Sequence, residues 1–193
     1  TRPELLCSCQ MILVHPDDER YMAFHGMHVE VPIYGGRVKV KPHSSVKPDF
    51  GSGVVMVCSY GDYTDILLFR ELELKEIIAL GEDGRMTEAG GLLSGLPVKE
   101  ARSRIIGELK ARGLLVKVED IIHRTPICER SGTPIDIIPM KEYYLKQMEY
   151  EPILRDIASK MHFHPEAHRQ ILLDWIDSIR IDWPISRRRY YAT

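Results

Sequence analysis

Residues 50–65 read Phe50-Gly51-Ser52-Gly53-Val54-Val55-Met56-Val57-Cys58-Ser59-Tyr60-Gly61-Asp62-Tyr63-Thr64-Asp65. This order predicts a glycine turn, a short strand, a second turn and a helix. The glycines at 51 and 53 permit backbone angles that a side chain would forbid. The apolar, β-branched run 54–59 suits a strand that is buried on both faces. We therefore expect the core of the chain to form around this strand.

Two aspartates follow the predicted strand. Asp62 is a good N-cap for a helix over about 62–72, and Asp65 lies on the same face of its first turn. The pair can be a cap with an acidic first turn, which is the commoner arrangement. It can also be a pair of functional carboxylates beside a strand end. Because a helix N-terminus favours negative charge, we expect Asp65 to be ionised.

The composition is that of an ordinary globular protein: 193 residues, 44% hydrophobic, 28% charged, net charge -2. Because the net charge is slightly negative, any contact with RNA must come from local patches of positive charge. No apolar run approaches the roughly 20 residues that a membrane helix needs, so we expect no membrane partner. The four cysteines, at 7, 9, 58 and 128, form no C-x-x-C pair. They indicate reduced thiols in a cytoplasmic protein.

Periodicity and turn residues predict the remaining elements. Strands are expected over 11–14, 29–33, 37–42, 76–80, 114–122 and 135–138, and helices over 17–24, 97–112, 141–150, 153–160 and from 165 onward. The pattern changes from strands to helices near residue 139. We therefore predict an α+β chain with a first domain over 1–138 and a helical segment over 139–193.

The predicted strand 37–42 carries a row of cations. Arg37, Lys39 and Lys41 alternate with valines, so one strand face is positively charged. We favour a charged edge strand that resists aggregation. The alternative is a strip that binds phosphates.

Three separated motifs resemble the editing domain inserted into the class I aminoacyl-tRNA synthetases for valine, isoleucine and leucine. The first is the 50–65 stretch, where Ser52 replaces the family's usual threonine. The second is Thr1-Arg2-Pro3-Glu4 with Val14-His15-Pro16-Asp17-Asp18-Glu19-Arg20-Tyr21, and the third is the return segment 123–134. The sequences of these motifs are most similar to those of the valine type. The terminal Pro184-Ile185-Ser186-Arg187-Arg188-Arg189-Tyr190-Tyr191 resembles its archaeal branch.

This resemblance implies a β-barrel-like editing core with peripheral helices, followed by a helical return segment that leads into a catalytic domain. Both ends of the chain are accordingly expected to be cut from a larger protein. The implied activity is hydrolysis of the ester that links a wrong amino acid to the 3′ adenosine of tRNA. An apolar synthetic pocket rejects threonine in favour of valine only about 10²-fold, so the implied substrate is threonyl-tRNA(Val).

The resemblance also implies partners and site residues. The partners are the tRNA(Val) 3′ end with its threonine and the remainder of the synthetase chain, and we expect a monomer. Editing needs no cofactor, since ATP and Mg serve only the full-length synthetase. The implied catalytic residues are Asp62 and Asp65, and the implied substrate-binding residues are Thr1, Arg2, Phe50, Met56 and Cys58.

Each of these residues has an implied role. Asp65 binds the substrate ammonium, Phe50 is the adenine platform, and Arg2 lies in the pocket. Met56 and Cys58 replace a lysine and a threonine of bacterial relatives. Because cysteine is a weak hydrogen-bond donor, the group that senses the threonine hydroxyl is an open choice that includes residues 59 and 64.

Three histidines near the C-terminal end are candidates for a metal site. His162, His164 and His168 have a spacing that zinc could use, but no zincin-type glutamate follows, and we predict no metal. Three hypotheses therefore stand. The first is a valine-type editing hydrolase, with the isoleucine-type domain that removes valine as its rival. The others are a metal-dependent hydrolase using Asp62, Asp65 and the histidines, and a non-catalytic tRNA-binding module.

Overall fold

The computed structural model describes residues 2–119 and 125–186. Its chain divides into two units, 1–139 and 140–193. The roles predicted for the two segments stay predictions. None of the helices in the described ranges has the length and apolar character that crossing a membrane requires.

The first unit is built on a four-stranded sheet in the order β2-β3-β1-β4. Its strands are β1 (Cys9–Val14), β2 (His28–Glu30), β3 (Arg37–Pro42) and β4 (Val54–Cys58). β1 runs parallel to β3 and antiparallel to β4, while β2 and β3 form an antiparallel hairpin. The four strands predicted in these stretches are confirmed, but β2 ends at Glu30 and not at residue 33, and β4 is buried on both faces only at its end, since Val55 is exposed.

Helices cover the sheet. The α-helices are α1 (Tyr63–Glu71) and α2 (Val98–Ala111), and the 3₁₀-helices are Pro3–Ser8, Met22–Phe24 and Glu88–Leu93. α1 begins after Asp62, whose side chain accepts a hydrogen bond from the backbone N–H of Asp65, so the predicted N-cap is confirmed. α2 is followed by Gly113 with φ +68°, as a glycine C-terminus predicts.

Apolar side chains bury both faces of the sheet. One cluster joins the sheet to α2 and to the 3₁₀-helices, and it includes Leu5, Cys58, Leu93, Ala101 and Ile105. The other lies under α1 and consists of Leu13, Val46, Val57, Leu68 and Phe69. Neighbouring residues of β4 therefore point to opposite cores, which is the alternation that the sequence predicted.

The predicted barrel is not closed in the described residues. β2 and β4 are the two edges of an open sheet. The ranges 76–80 and 135–138 form no strand, and neither do the described residues of 114–122. A side-chain alternation becomes a strand only when a partner completes the backbone ladder. Within the described residues, 114–119 pair with no strand, and Val116 is 98% exposed.

The helix predicted over 17–24 is also wrong. These residues form turns followed by a single 3₁₀ turn. His15 Nδ1 accepts a hydrogen bond from the N–H of Asp17, and Asp18 accepts one from the N–H of Arg20. Such side-chain bonds compete with the helical ladder.

The cationic strand is not an edge strand. β3 lies between β2 and β1 and pairs with both. Val38 and Val40 are buried, whereas Arg37, Lys39 and Lys41 are exposed. The alternation was therefore predicted correctly, but protection of a sheet edge cannot be the reason for the cations.

The described part of the second unit, 140–186, contains two α-helices and a small sheet. α3 (Glu151–Lys160) packs against α4 (His168–Ser178), and β5 (Tyr144–Leu145) pairs with β6 (Trp183–Pro184). The helix predicted over 141–150 is therefore wrong, and only Met148–Tyr150 makes a 3₁₀ turn. The Asp182 carboxylate accepts hydrogen bonds from the N–H groups of Gln147 and Met148, at 3.0 and 3.2 Å, which ends the extended segment there.

Substitution of Leu13 should test the sheet core. Leu13 is completely buried, so Leu13→Ala should lower the free energy of unfolding by about 2–5 kcal/mol. Urea unfolding followed by far-UV circular dichroism would measure this loss. Val116→Ala is the control, because a surface change of this kind should alter stability by less than about 0.5 kcal/mol. An equal effect of the two variants would contradict the assignment of Leu13 to the core.

Candidate functional site

The turn from β4 to α1 brings the two predicted aspartates together. β4 ends at Cys58, and Tyr60 then adopts a left-handed conformation with φ +58°. Such a conformation is unusual for a residue with a side chain and is typical of functional turns. The Asp62 Oδ1 atom accepts a hydrogen bond of 2.8 Å from the Asp65 N–H. Asp62 is therefore the helix cap, which leaves the carboxyl group of Asp65 free to point elsewhere.

The carboxyl group of Asp65 folds back over this turn. Its Oδ1 atom lies 3.4 Å from the backbone nitrogen of Cys58, a long hydrogen bond. Its Oδ2 atom occupies the space beside Gly61, where a Cβ atom would lie only 2.1 Å away. In this arrangement, any residue other than glycine at position 61 would displace the carboxyl group.

Asp65 has an unusual protonation equilibrium. Burial and the neighbouring charge of Asp62 raise the pKa of Asp65 from its ordinary value of 3.8 to about 7. Backbone hydrogen bonds and the charge of Arg2 oppose this rise without cancelling it. Desolvation thus opposes the ionised form that the helix N-terminus favours.

Arg2 connects the same turn to a buried carboxylate. Its guanidinium donates to Glu4 Oε1 at 3.0 Å, to the carbonyl oxygen of Gly61 at 3.1 Å and to Asp136 Oδ1 at 2.6 Å. Three of its five N–H groups are thus engaged within the protein. The charge of Arg2 acts on Asp65 by lowering its pKa, and the hydrogen bond of Arg2 to Gly61 holds the turn in place.

Glu4 is fully buried and is held by two arginines. Arg102 donates to both carboxylate oxygens, at 2.8 and 3.0 Å, and Arg2 adds a third hydrogen bond. Burial alone would raise the pKa of Glu4, but these hydrogen bonds outweigh it and hold the pKa below its ordinary value. Sequence reasoning missed Glu4, Arg102 and Asp136 as supports of the site. The first belongs to the Thr1–Glu4 motif, whereas nothing in the local pattern marks the other two.

Phe50 lies at the opposite end of β4. It sits in a double turn, where Phe50 N–H donates to the Lys47 carbonyl and Gly53 N–H donates to the Phe50 carbonyl. Gly51 and Gly53 have φ values of +60° and +77°, as the glycine pattern predicted. The ring of Phe50 is 69% exposed. β4 lies between Phe50 and the Asp65 turn, and its four residue steps span about 13 Å at about 3.3 Å each.

The residues between these ends differ in accessibility. Met56 is partly buried, while Cys58 is buried in the core and offers its backbone N–H to Asp65 instead of its thiol. A hydrogen bond with Cys9 and burial both raise the pKa of the Cys58 thiol, so it is a poor nucleophile. Ser59 is buried, and its Oγ atom accepts from the N–H of Ile77, whereas Thr64 is exposed.

Other predicted features lie elsewhere. Thr1, the end of the predicted strand (120–122), the start of the return motif (123–124) and the arginines at 187–189 lie outside the described residues. Within the described ranges, no group of three or more His, Cys, Asp or Glu residues could hold a metal ion. Asp62, Asp65, Arg2 and the Cys58 backbone are brought together, whereas Met56 lies within β4 and Phe50 lies in the turn before it.

Comparisons with known proteins agree with the resemblance seen in these motifs. The chain is 51% identical over 193 residues to a valine–tRNA ligase of Aeropyrum pernix, of which it covers 24%. The ligases of Nanoarchaeum equitans and Methanocaldococcus jannaschii are 49% and 42% identical, with 25% and 22% of their lengths covered. The whole chain is covered in each comparison. No protein-family profile matches it.

The chain is homologous to a segment of archaeal valine–tRNA ligases. This result confirms the valine-type, archaeal resemblance. The chain spans about a quarter of the length of the curated relatives that it matches.

The charge of Asp62 should control the titration of Asp65. Asp62→Asn keeps a good N-cap and removes the neighbouring negative charge, so the pKa of Asp65 should fall below 7. A ¹³C NMR titration of the Asp65 carboxyl carbon would measure this shift. Asp174→Asn, a change in the second unit, is the control and should leave the pKa of Asp65 unchanged.

The same substitution should alter the pH dependence of stability. Because the folded pKa of Asp65 is raised, its favourable contribution is complete below about pH 3.8 and is lost as pH rises through 7. Asp62→Asn should therefore lose less stability than the parent between pH 4 and 7. An unchanged pKa together with an unchanged stability profile would show that the two carboxylates do not interact.

Proposed function

We propose that the chain is the editing domain of a valine–tRNA ligase and hydrolyses threonyl-tRNA(Val). The observation that carries this proposal is the placement of Asp65. Its carboxyl group is held at the end of β4 by the Cys58 N–H and the space beside Gly61, and it is not needed to cap α1. Homology to valine–tRNA ligases along the whole chain supports this assignment.

The substrate would lie along β4. Its terminal adenine stacks on the exposed Phe50 ring, and base–aromatic stacking of this kind is worth about 1–3 kcal/mol. Its ammonium group pairs with Asp65 at the other end of the strand. Arg2 and Asp62 hold the turn that carries Asp65, and Met56 lies between the two ends. The remainder of the synthetase chain and the tRNA body are the expected partners.

The reaction is an ester hydrolysis. Water adds to the carbonyl carbon, the bond between that carbon and the 3′ oxygen breaks, and free threonine and a tRNA with a free 3′ hydroxyl result. Binding of the ammonium favours the ionised form of Asp65, because an opposite charge lowers the pKa of a carboxyl group. Because the pKa of Asp65 is about 7, a cationic ligand can shift its carboxyl group from the protonated to the ionised form at neutral pH.

A deacylation assay tests this function. The chain, and the full-length ligase that contains it, should release threonine from threonyl-tRNA(Val) faster than valine from valyl-tRNA(Ile), with the same rate in the presence of EDTA. Faster release of valine would indicate the isoleucine-type activity instead. A loss of activity in EDTA would indicate a metal-dependent hydrolase, and no release in either protein would leave a tRNA-binding module.

Asp65→Asn should separate a functional carboxylate from a structural one. Loss of a charge-assisted contact in a partly dry pocket costs about 2–5 kcal/mol, which is roughly a 30- to 5,000-fold fall in kcat/KM. The melting temperature should not fall, because the variant also removes the repulsion between Asp65 and Asp62. Glu71→Gln, in the last turn of the same helix, is the control and should keep the parent rate. A variant that melts early but deacylates normally would make Asp65 a helix-start residue only.

A further inference from the structure

Two distant segments of the first unit are tied together around Phe50. Arg20 donates from Nε to Asp18 Oδ1 at 2.8 Å and from Nη2 to Asp18 Oδ2 at 2.6 Å. Asp18 is only 7% exposed. This bidentate pair fixes the plane of the guanidinium, because both parallel N–H···O bonds must be satisfied together.

The fixed guanidinium anchors the Phe50 loop from one side. Arg20 Nη2 also donates to the carbonyl oxygen of Pro48, at 2.8 Å. On the other side, the hydroxyl group of Tyr21 donates to the carbonyl oxygen of Ser52, again at 2.8 Å. The two anchored carbonyls belong to the residues two before and two after Phe50. Two adjacent side chains therefore hold the loop symmetrically about its exposed ring.

Gly53 completes this arrangement. A Cβ atom at this position would lie 2.6 Å from Arg20 Nη2 and 2.9 Å from the Pro48 carbonyl oxygen. Its φ of +77° also disfavours a side chain. Gly53 therefore leaves open the space that the Arg20 guanidinium occupies. The motifs at 15–21 and 50–53 accordingly form one structural unit.

We infer that Arg20 and Tyr21 are positioning residues that hold the Phe50 ring in place for the adenine base of the substrate. This inference rests on the proposed function. An exposed ring on a free loop would lose conformational freedom when a base stacks on it, and that loss would weaken binding. The two anchors remove this freedom before the substrate arrives. Arg20 and Tyr21 contact the Phe50 loop and not the Asp65 turn, so they should affect substrate binding and not the chemical step.

The test uses Tyr21→Phe, which removes one hydroxyl group and keeps the ring. ¹⁵N relaxation should show lower order parameters for the amides of 49–53. The KM for threonyl-tRNA(Val) should rise about 2- to 10-fold, the effect of one neutral hydrogen bond, while kcat stays unchanged. Tyr34→Phe is the matched control, since its hydroxyl group donates to the Gly90 carbonyl at 3.0 Å, and it should change neither quantity.

Arg20→Lys provides a second variant, because it keeps a positive charge beside the buried Asp18 carboxylate. A single ammonium cannot reproduce the planar fork that reaches both Asp18 and the Pro48 carbonyl. This variant should also loosen the loop and raise KM without changing kcat. If it does not fold, Tyr21→Phe still decides the question.

A double-mutant cycle distinguishes positioning of Phe50 from general stabilisation. In a Phe50→Ala background, Tyr21→Phe should raise KM no further, because there is no ring left to position. The inference would be overturned by the same rise in KM in both backgrounds, or by unchanged order parameters for 49–53 in Tyr21→Phe.

Adenosine 5′-monophosphate separates this inference from the proposed function. In the parent chain it should perturb the Phe50 ring resonances, and this perturbation should require a higher nucleotide concentration in Tyr21→Phe. If the parent chain fails to deacylate but both effects are seen, the positioning role holds and the proposed hydrolysis fails. If the parent chain deacylates but the nucleotide affects parent and variant equally, the positioning role fails alone.

Discussion

The buried carboxylate of Glu4 is the constraint around which the first unit is assembled. A carboxylate with no solvent exposure is tolerated only when its oxygens are paired, because an isolated buried charge is very costly. Arg102 of α2 and Arg2 supply that pairing. Arg2 then extends the network to the Gly61 carbonyl and to Asp136. One buried charge thus links the N-terminal segment, α2, the β4–α1 turn and the segment near residue 136.

This network explains how the site can hold two carboxylates close together. Asp62 and Asp65 repel each other, and the turn between β4 and α1 also contains a left-handed Tyr60. Both features cost stability. They persist because the cap of α1, the contact of Arg2 with Gly61 and the two apolar cores determine the path of the chain. The raised pKa of Asp65 reflects part of that cost, because burial and the charge of Asp62 both disfavour its ionised form. A cationic ligand would favour the ionised form again.

Local patterns predicted those elements whose partners are close in the chain or whose ends carry clear signals. β4 and α1 followed from Gly53, Gly61 and Asp62, and the β2–β3 hairpin followed from alternation around a glycine turn. The predicted strands at 76–80 and 135–138 had the right composition, but composition supplies no partner. The predicted helix over 141–150 does not form, because Tyr144 pairs with the distant Pro184 and the Asp182 carboxylate accepts the N–H of Gln147.

The amino-acid sequence by itself determined the strand–turn–helix unit at 50–65, the capping role of Asp62 and the homology to valine–tRNA ligases. The first two depend on residues that are adjacent along the chain, and the homology depends on identity over the whole chain. Only the tertiary structure decided that β3 lies inside the sheet, that Cys58 reaches the site through its backbone, and that Glu4, Arg102 and Asp136 support it. The raised pKa of Asp65 was also decided by the tertiary structure. Burial and distant charges cause each of these features, and neither can be read from sequence spacing.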